Sequence, residues 1–223
     1  MRQKFRTKAE KVYHHLREGI IHGTYAPGQR LVISQIARQL DVSEIPVREA
    51  LQRLASEGYV YLHPHAGGIV SSLSEEDIRQ IFELRIHLEG LATRLAVDHL
   101  SNAHLHRLEE MLLESRQYIE NRDYEGYDRF NRAFHEYIYQ FANNQRLADL
   151  IRDLWNNSSR YPRIFQDVHQ LENSYAEHQD ILRAIKLRDA ELAERLTRQH
   201  KAKAYEWAVK LVKDLNQEFT NSK

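Results

Sequence analysis

Four side chains in the second half of the chain have the types and spacing of metal ligands. Asn131 and His135 are four residues apart, so on a helix they project from one face about one turn apart. His178 and His200 flank a break at 188–189, and in an antiparallel helix pair both would lie roughly 16 Å from the turn. Imidazole nitrogens suit zinc, nickel and related ions. The spacing therefore predicts a divalent metal site, zinc or nickel, inside a helical bundle.

Two other interpretations of these residues stay open. The chain holds 13 histidines, so three of them can fall at such positions by chance. Glu136 or Glu177 beside a metal could activate water, which is the chemistry of a metal-dependent hydrolase. The sequence has no HExxH zinc-protease motif and no cysteine, which excludes disulfides, thiolate catalysis and cysteine-ligated zinc. The composition favours a binding site without a catalytic residue.

Helices must carry these ligands, and amphipathic stretches separated by short breaks predict them. Six of the eight glycines and three of the four prolines occur by residue 70, so the remainder is typical of an all-α antiparallel bundle. The expected segments run from Ser74 to about Leu100, from Ser101, from Asp123 to Asn143–Asn144, from there through Leu154, from about Leu171 to Leu187, and from Asp189 toward Phe219. We expect two domains, residues 1–73 and 74–223.

The segment 31–70 has a different order of elements. Ile33 and Ile36 begin an apolar helical pattern that should end near Asp41. Ser43 can cap a second helix, in which Pro46 falls in the first turn and Gly58 follows the end. Two short strands are expected at 59–62 and 69–71, joined by a loop containing His65 and Gly67. Helix, turn, helix and two-stranded ribbon together predict a winged helix-turn-helix.

The charges are distributed unevenly between the two parts. Residues 1–74 hold ten Lys/Arg and six Asp/Glu, an excess of +4, and the remainder must be −4 to reach the neutral total. Cations that could neutralise DNA phosphates precede the first predicted helix or lie in the motif, namely Lys4, Arg6, Lys8, Lys11, Arg30, Arg38, Arg48 and Arg53. This placement favours double-stranded DNA as a partner.

The pattern Pro27–Gly28, Ile36–Ala37, Val42–Ser43, Pro46-Val-Arg-Glu-Ala-Leu51, Glu57–Gly58 and Gly67 resembles the N-terminal domain of the GntR family of bacterial transcription regulators. The resemblance implies a DNA-binding surface formed by Ser34, Arg38, Ser43, Glu44, Ile45, Pro46, Arg48, Arg53, His65 and Gly67. Many relatives carry Arg where this chain has Ser34, Glu44 and Ala66, so their operator sequences do not transfer. Glu44 either accepts a hydrogen bond from a cytosine amino group or only begins the helix, favoured by the dipole.

The segments Asn131-Arg-Ala-Phe-His135, Glu177–His178 and Gln199–His200 resemble the ligand-sensing FCD domain of the FadR-type branch of that family. The resemblance implies that Asn131 and three histidines hold a metal in an effector cavity. Arg85 is either a clamp for an effector carboxylate or the structural partner of Glu89. Aromatic residues near the motifs either line the cavity or belong to the core, namely Tyr137, Tyr139, Tyr161, Phe165 and Tyr175; we select Tyr137 and Tyr175 as effector-binding.

The function implied is a transcription repressor controlled by a small molecule that carries a carboxylate. A homodimer would place two recognition helices in successive major grooves of an operator, and effector binding would change its affinity. A metal-free sensor of another ligand is the alternative. No apolar run is long enough to cross a bilayer, so we expect a soluble, cytoplasmic protein without a membrane partner.

Overall fold

A computed structural model describes residues 7–21, 24–63, 67–71, 74–158 and 164–221, and the chain forms two compact units, the first up to Ser74 and the second mainly from Glu75 onward. The first unit contains α1 (Lys8–Ile21), β1 (Arg30–Leu31), α2 (Ile33–Gln39), α3 (Glu44–Ser56), β2 (Val60–His63) and β3 (Gly67–Val70). The second contains α4 (Glu75–Ala96), α5 (Asn102–Glu120), α6 (Tyr124–Tyr139), α7 (Gln145–Ser158), α8 (Val168–Lys186) and α9 (Ala190–Asn221).

The turn between α2 and α3 ends the first helix as expected. Asp41 has a φ of 52°, and the N–H of Val42 donates to the carbonyl of Ala37 at 3.0 Å, which closes α2 with a left-handed residue. Ser43 occupies the N-cap position of α3 as predicted, but its side chain makes no capping hydrogen bond. Pro46 takes the N3 position and has no N–H to donate, which removes one of the two usual donors to a capping side chain.

The wing is a three-stranded antiparallel sheet in the order β1-β3-β2, whereas the sequence predicted two strands. The added strand, β1, has two residues, too few to show an alternating pattern, and its Leu31 lies opposite Gly68. Gly67 has a φ of 95°, and a Cβ there would lie 2.2 Å from the carbonyl oxygen of Leu31. Only glycine allows β1 to approach β3 this closely.

The helix α1 was not predicted, and the placement of Lys8 and Lys11 before the first helix was wrong. Its apolar residues recur at helical spacing from Ala9 to Ile20, and Val12 and Leu16 are fully buried. They join the core of the first unit, where α1 packs on α3. The helix-turn-helix therefore rests on a third helix that is itself amphipathic.

The helices of the second unit begin near the predicted residues. The side chains of Ser101 and Asp123 cap α5 and α6, accepting hydrogen bonds from the backbone N–H groups of His104 and Gly126. A capping box at Asp167 starts α8 at Val168, slightly before the expected position. In the bundle α4 packs along α9, and α8 lies between α9 and α5. None of the helices in the described ranges combines the length and apolar character needed to span a membrane.

Candidate functional site

Three histidines from three helices meet in the core of the second unit. His135 of α6 and His178 of α8 are fully buried, and His200 of α9 is 3% exposed. Each offers a ring nitrogen, and these three atoms lie within 4.8 Å of one another. The ring centroids of His178 and His200 are 4.7 Å apart, so the two residues lie at the same height on α8 and α9. The structure thus brings together the three histidines that the sequence selected.

In this histidine cluster (His135, His178 and His200), one pair of nitrogens has the separation that a shared metal ion would require. Nε2 of His135 and Nε2 of His178 are 3.1 Å apart. Two nitrogens bound at 2.0–2.1 Å to one ion, at angles between octahedral and tetrahedral, are separated by roughly 2.9–3.4 Å. The observed distance lies within that interval.

Hydrogen bonds fix the orientation of two of the three rings. Nδ1 of His200 is 2.7 Å from a carboxylate oxygen of Glu177, which also pairs with Lys203. Nδ1 of His135 is 3.2 Å from the hydroxyl oxygen of Tyr139. A hydrogen-bonded Nδ1 is the usual support of a histidine that binds metal through Nε2.

Unsatisfied polar atoms provide a second indication of a ligand-binding site. Asn131 lies one turn before His135 on α6 and is 7% exposed, and its Oδ1 is buried without a hydrogen-bond partner. Nδ1 of His178 is also buried without a partner. Buried polar atoms without a partner are uncommon in folded proteins. An amide oxygen beside three imidazoles fits the donor set of a divalent metal.

The histidines are held neutral, which is the form that binds metal. Burial lowers the pKa of His135, His178 and His200 well below the usual value, and the positive charge of Lys201 lowers each further. Because no proton has to be displaced from these rings near neutral pH, the cluster can bind a cation without that cost.

A buried network of charges adjoins the cluster. Nε of Arg85 is 2.8 Å from one oxygen of Glu89, while the other oxygen is 3.1 Å from Nζ of Lys201 and 2.8 Å from the Tyr139 hydroxyl. Burial would raise the pKa of Glu89, but the two cations outweigh it and lower the pKa to about 2. Burial lowers the pKa of Lys201 to about 8. Both cations also lie over the ring of Trp155, at 4.2 Å and 4.9 Å from its centroid.

The predicted effector-binding residues lie in separate parts of the second unit, each with contacts of its own. Arg85 forms the buried ion pair with Glu89, which was the structural alternative for it. Tyr137 packs against Phe141, with ring centroids 5.5 Å apart. Tyr175 lies 6.0 Å from the guanidinium of Arg116. Neither of these tyrosine contacts involves the histidine cluster, whereas Tyr139, two residues after Tyr137, does contact it.

Sequence reasoning missed Lys201 and the connection from Glu89 to Tyr139. Lys201 follows a predicted ligand in a helix rich in charge, so nothing in its spacing separates it from an exposed lysine. It is 1% exposed. The available signal was the i,i+4 pair on α6, because Tyr139 must share a helix face with His135.

A cavity of about 500 Å³ lies at the turn between α6 and α7. Its lining is mainly polar and includes Glu136, Gln140, Asn144, Gln145 and Arg152, with Tyr139 and Ile151 as buried members. Tyr139 therefore takes part both in this lining and in the contact with His135.

The predicted DNA-binding residues mostly lie on the surface of the first unit. Ile45 is 67% exposed at the start of α3, and Glu44 and Arg48 form an exposed ion pair at 2.9 Å. Pro46 is buried. The remaining positions are as follows: Ser34, Arg38, Ser43 and Arg53 are exposed, Gly67 lies in β3, and His65 and Ala66 lie outside the described residues.

Exposed cations near α3 already have partners. Nε of Arg38 donates to the carbonyl of Ser34 at 3.2 Å. Arg53 pairs with Glu57 at 3.1 Å and lies over the ring of Tyr13, 3.8 Å from its centroid. These contacts hold long side chains in defined positions on α2 and α3.

A winged helix-turn-helix joined to a helical unit with a buried ligand-type cluster defines a class: DNA-binding transcription regulators with a ligand-binding domain. Two family models match the chain, "Bacterial regulatory proteins, gntR family" over residues 8–70 and "FCD domain" over residues 80–203. The chain belongs to the GntR family of regulators and carries an FCD domain.

Relatives of known sequence or structure agree with this assignment. The uncharacterized HTH-type transcriptional regulator YdhC of Bacillus subtilis is 32% identical over 185 residues, covering 81% of this chain and 82% of that protein. The HTH-type transcriptional repressor RspR of Escherichia coli is 29% identical over 192 residues, covering 86% and 84%. The solved structure of E. coli McbR/YncC has a TM-score of 0.68 at 27% identity, covering 96% of this chain and 100% of that one. These families and relatives are transcription regulators, so the hydrolase interpretation was wrong.

Proposed function

We propose that this regulator is a homodimeric repressor that releases operator DNA when a carboxylate-bearing small molecule binds at a divalent metal in the FCD domain. The metal, zinc or nickel, would be held by Asn131, His135, His178 and His200. The observation that carries the proposal is the convergence of three buried, neutral histidines beside a buried amide oxygen that lacks a partner. The similar protein RspR is a transcriptional repressor, which supports repression as the role of this chain.

The charge balance supports an anionic effector. Four uncharged donors would leave the metal with its full charge of +2, and the bound ion would supply a Lewis-acidic position for an anionic oxygen. An effector carboxylate would offset part of this positive charge, because buried charges are costly without compensation.

Metal analysis tests the site directly. After incubation with zinc or nickel and removal of free ions, the wild-type chain should retain metal, and the double variant His135→Ala/His178→Ala should not. His106→Ala is the matched control, because the side chain of His106 is 73% exposed on α5. Equal metal content in the wild type and the double variant would remove the metal site. A wild type without metal would favour the metal-free sensor.

The DNA-binding unit is proposed to act as a symmetric pair. Two copies of α3 would enter successive major grooves of a near-palindromic operator, and the linkage between sites requires operator DNA to change effector affinity by the same factor. The side chain of Glu44 would exchange its contact with Arg48 for a hydrogen bond from a cytosine amino group.

Selection of binding sites from random DNA tests the role of Glu44. We expect Glu44→Ala to weaken discrimination at one base pair in each half-site by about 1–3 kcal/mol. Glu49→Ala, at an exposed position on the same helix, should preserve the wild-type preference. Unaltered preference at every operator position in Glu44→Ala would contradict this readout, and a selected site without two-fold symmetry would contradict the paired arrangement.

A further inference from the structure

A chain of hydrogen bonds connects the histidine cluster to α4. The hydroxyl of Tyr139, 3% exposed, lies 2.8 Å from a carboxylate oxygen of Glu89 and 3.2 Å from Nδ1 of His135. A phenol has one proton to donate. The charged carboxylate is the stronger acceptor, so Tyr139 donates to Glu89. The contact with His135 is then a hydrogen bond only if Nδ1 of His135 carries the proton and donates to the Tyr139 oxygen.

This order of donors determines which nitrogen of His135 has a lone pair available to bind a metal. A neutral imidazole has one protonated nitrogen, so a proton on Nδ1 leaves the lone pair on Nε2. Nε2 faces Nε2 of His178 at 3.1 Å, inside the histidine cluster. The rings of His135 and Tyr139 are also stacked, with an interplanar angle of 24° and centroids 5.8 Å apart. Tyr139 thus fixes both the ring plane and the tautomer.

The hydrogen-bond chain ends at a residue of a helix that carries none of the four proposed ligands. Glu89 is a residue of α4, whereas the ligands lie on α6, α8 and α9. Its carboxylate is fully buried and also contacts Arg85 and Lys201. In sequence, α4 is the first helix after the wing of the DNA-binding unit. The two contacts of the Tyr139 hydroxyl, with His135 and with Glu89, therefore link a proposed metal ligand to this helix.

We propose that Tyr139 is a positioning residue of the metal centre: it holds His135 with Nε2 directed at the metal, and through Glu89 it makes α4 respond to metal binding. The second half of this statement rests on the proposed metal function. The positioning of His135 concerns the metal-free protein as well, so it can be tested separately from the response of α4 to metal.

Tyr139→Phe in the full-length chain removes the hydroxyl and retains the ring. Tyr137→Phe is the matched control, two residues away on the same helix and packed against Phe141. Nitrogen-15 NMR of the metal-free wild type, with the His135 signals assigned from a His135→Gln spectrum, should show protonated Nδ1. Tyr137→Phe should leave this tautomer unchanged, and Tyr139→Phe should lose the preference.

Zinc titration and hydrogen exchange test the link to the metal. Tyr139→Phe should bind zinc 10- to 100-fold more weakly than the wild type, the usual effect of removing a partner of a metal-binding histidine, and Tyr137→Phe should bind as the wild type does. Zinc should slow hydrogen exchange in α4 of the wild type and have a smaller effect in Tyr139→Phe.

Each outcome decides one part of the proposal. A His135 protonated at Nε2 in the metal-free wild type would overturn the positioning role, and this measurement stands even if Tyr139→Phe does not fold. Equal zinc affinity in the two tyrosine variants would overturn it as well. A wild type that binds neither zinc nor nickel but has Nδ1 of His135 protonated would support positioning and overturn the proposed metal function.

Discussion

Two Glu–Arg pairs with the same i,i+4 spacing lie in the two units of the molecule and have opposite environments. Glu44 and Arg48 of α3 are 2.9 Å apart, with side chains 48% and 55% exposed. Arg85 and Glu89 of α4 are 2.8 Å apart, with side chains 4% and 0% exposed. Spacing and distance are nearly equal, so the difference in their energetic roles comes from burial.

The exposed pair is suited to exchange its partner for DNA. A helix-surface ion pair contributes only about 0.3–0.5 kcal/mol, because water solvates both charges. Breaking it to contact a base or a phosphate therefore costs little. The buried pair cannot exchange in this way, since removal of one member leaves a desolvated charge at a cost of about 3–5 kcal/mol. The exposed pair of the first unit can therefore exchange its partner, whereas the buried pair of the second unit fixes side chains beside the histidine cluster.

The largest expected effect is on the stability of the second unit. Glu89→Gln should lower its free energy of unfolding by about 3–5 kcal/mol, because Arg85 and Lys201 lose their shared carboxylate. Both tryptophans of the chain, Trp155 and Trp207, belong to this unit, so their fluorescence during urea unfolding reports on it. Glu44→Gln, followed by circular dichroism, should change stability by less than about 0.5 kcal/mol. A similar loss of stability in both variants would show that burial does not set the difference between the two ion pairs.

The second expected effect is acid destabilisation of the metal-free second unit. The folded pKa values of the three histidines lie well below 6.5 because of burial and the charge of Lys201, so the unfolded chain binds more protons at acidic pH. The histidine contribution to stability should be complete above about pH 6.5 and fall as the pH decreases, approaching about 1.4 kcal/mol per pH unit for each histidine. Glu89, with a pKa of about 2, would contribute only below about pH 4.5.

Urea unfolding with a chelator between pH 7.5 and 5.5 measures this slope. His178→Gln should reduce the slope by the contribution of one histidine, and the exposed control His106→Gln should leave the slope unchanged. A slope that is flat over this interval would show that the buried histidines do not control acid stability.

The smallest expected effect is on the stability of the first unit. There it depends on how closely the strand backbones approach each other and not on a buried ion pair. Gly67→Ala should destabilise the wing by roughly 1–3 kcal/mol, because of the positive φ and the approach to the Leu31 carbonyl. At Gly68 an added Cβ would meet its neighbours at 3.4–3.5 Å, ordinary contact, so Gly68→Ala is the matched control. Hydrogen exchange of the Val70 amide, which donates to Gln29, monitors the strand. Equal protection in the two variants would contradict this account.

The sequence by itself determined the succession of helices in the second unit and, in the first unit, the order from α2 to β3. Capping residues such as Ser101 and Asp123 act locally, so the helix starts could be predicted within a few residues. Helical periodicity and equal distances from one turn were sufficient to place His178 and His200 beside each other. Of the two elements that were missed, α1 has an amphipathic pattern that could be read from the sequence, whereas β1 has only two residues and depends on its pairing with β3.

Only the tertiary structure decided which charged and polar residues are buried. A lysine at position 201 and an arginine at position 85 look like surface residues in sequence, and their burial depends on Glu89 from another helix or another turn. The same holds for the hydroxyl of Tyr139, whose two partners are 50 and 4 residues away. Local interactions set the helices because they depend on neighbours in sequence, whereas buried hydrogen bonds depend on partners that only the fold brings together.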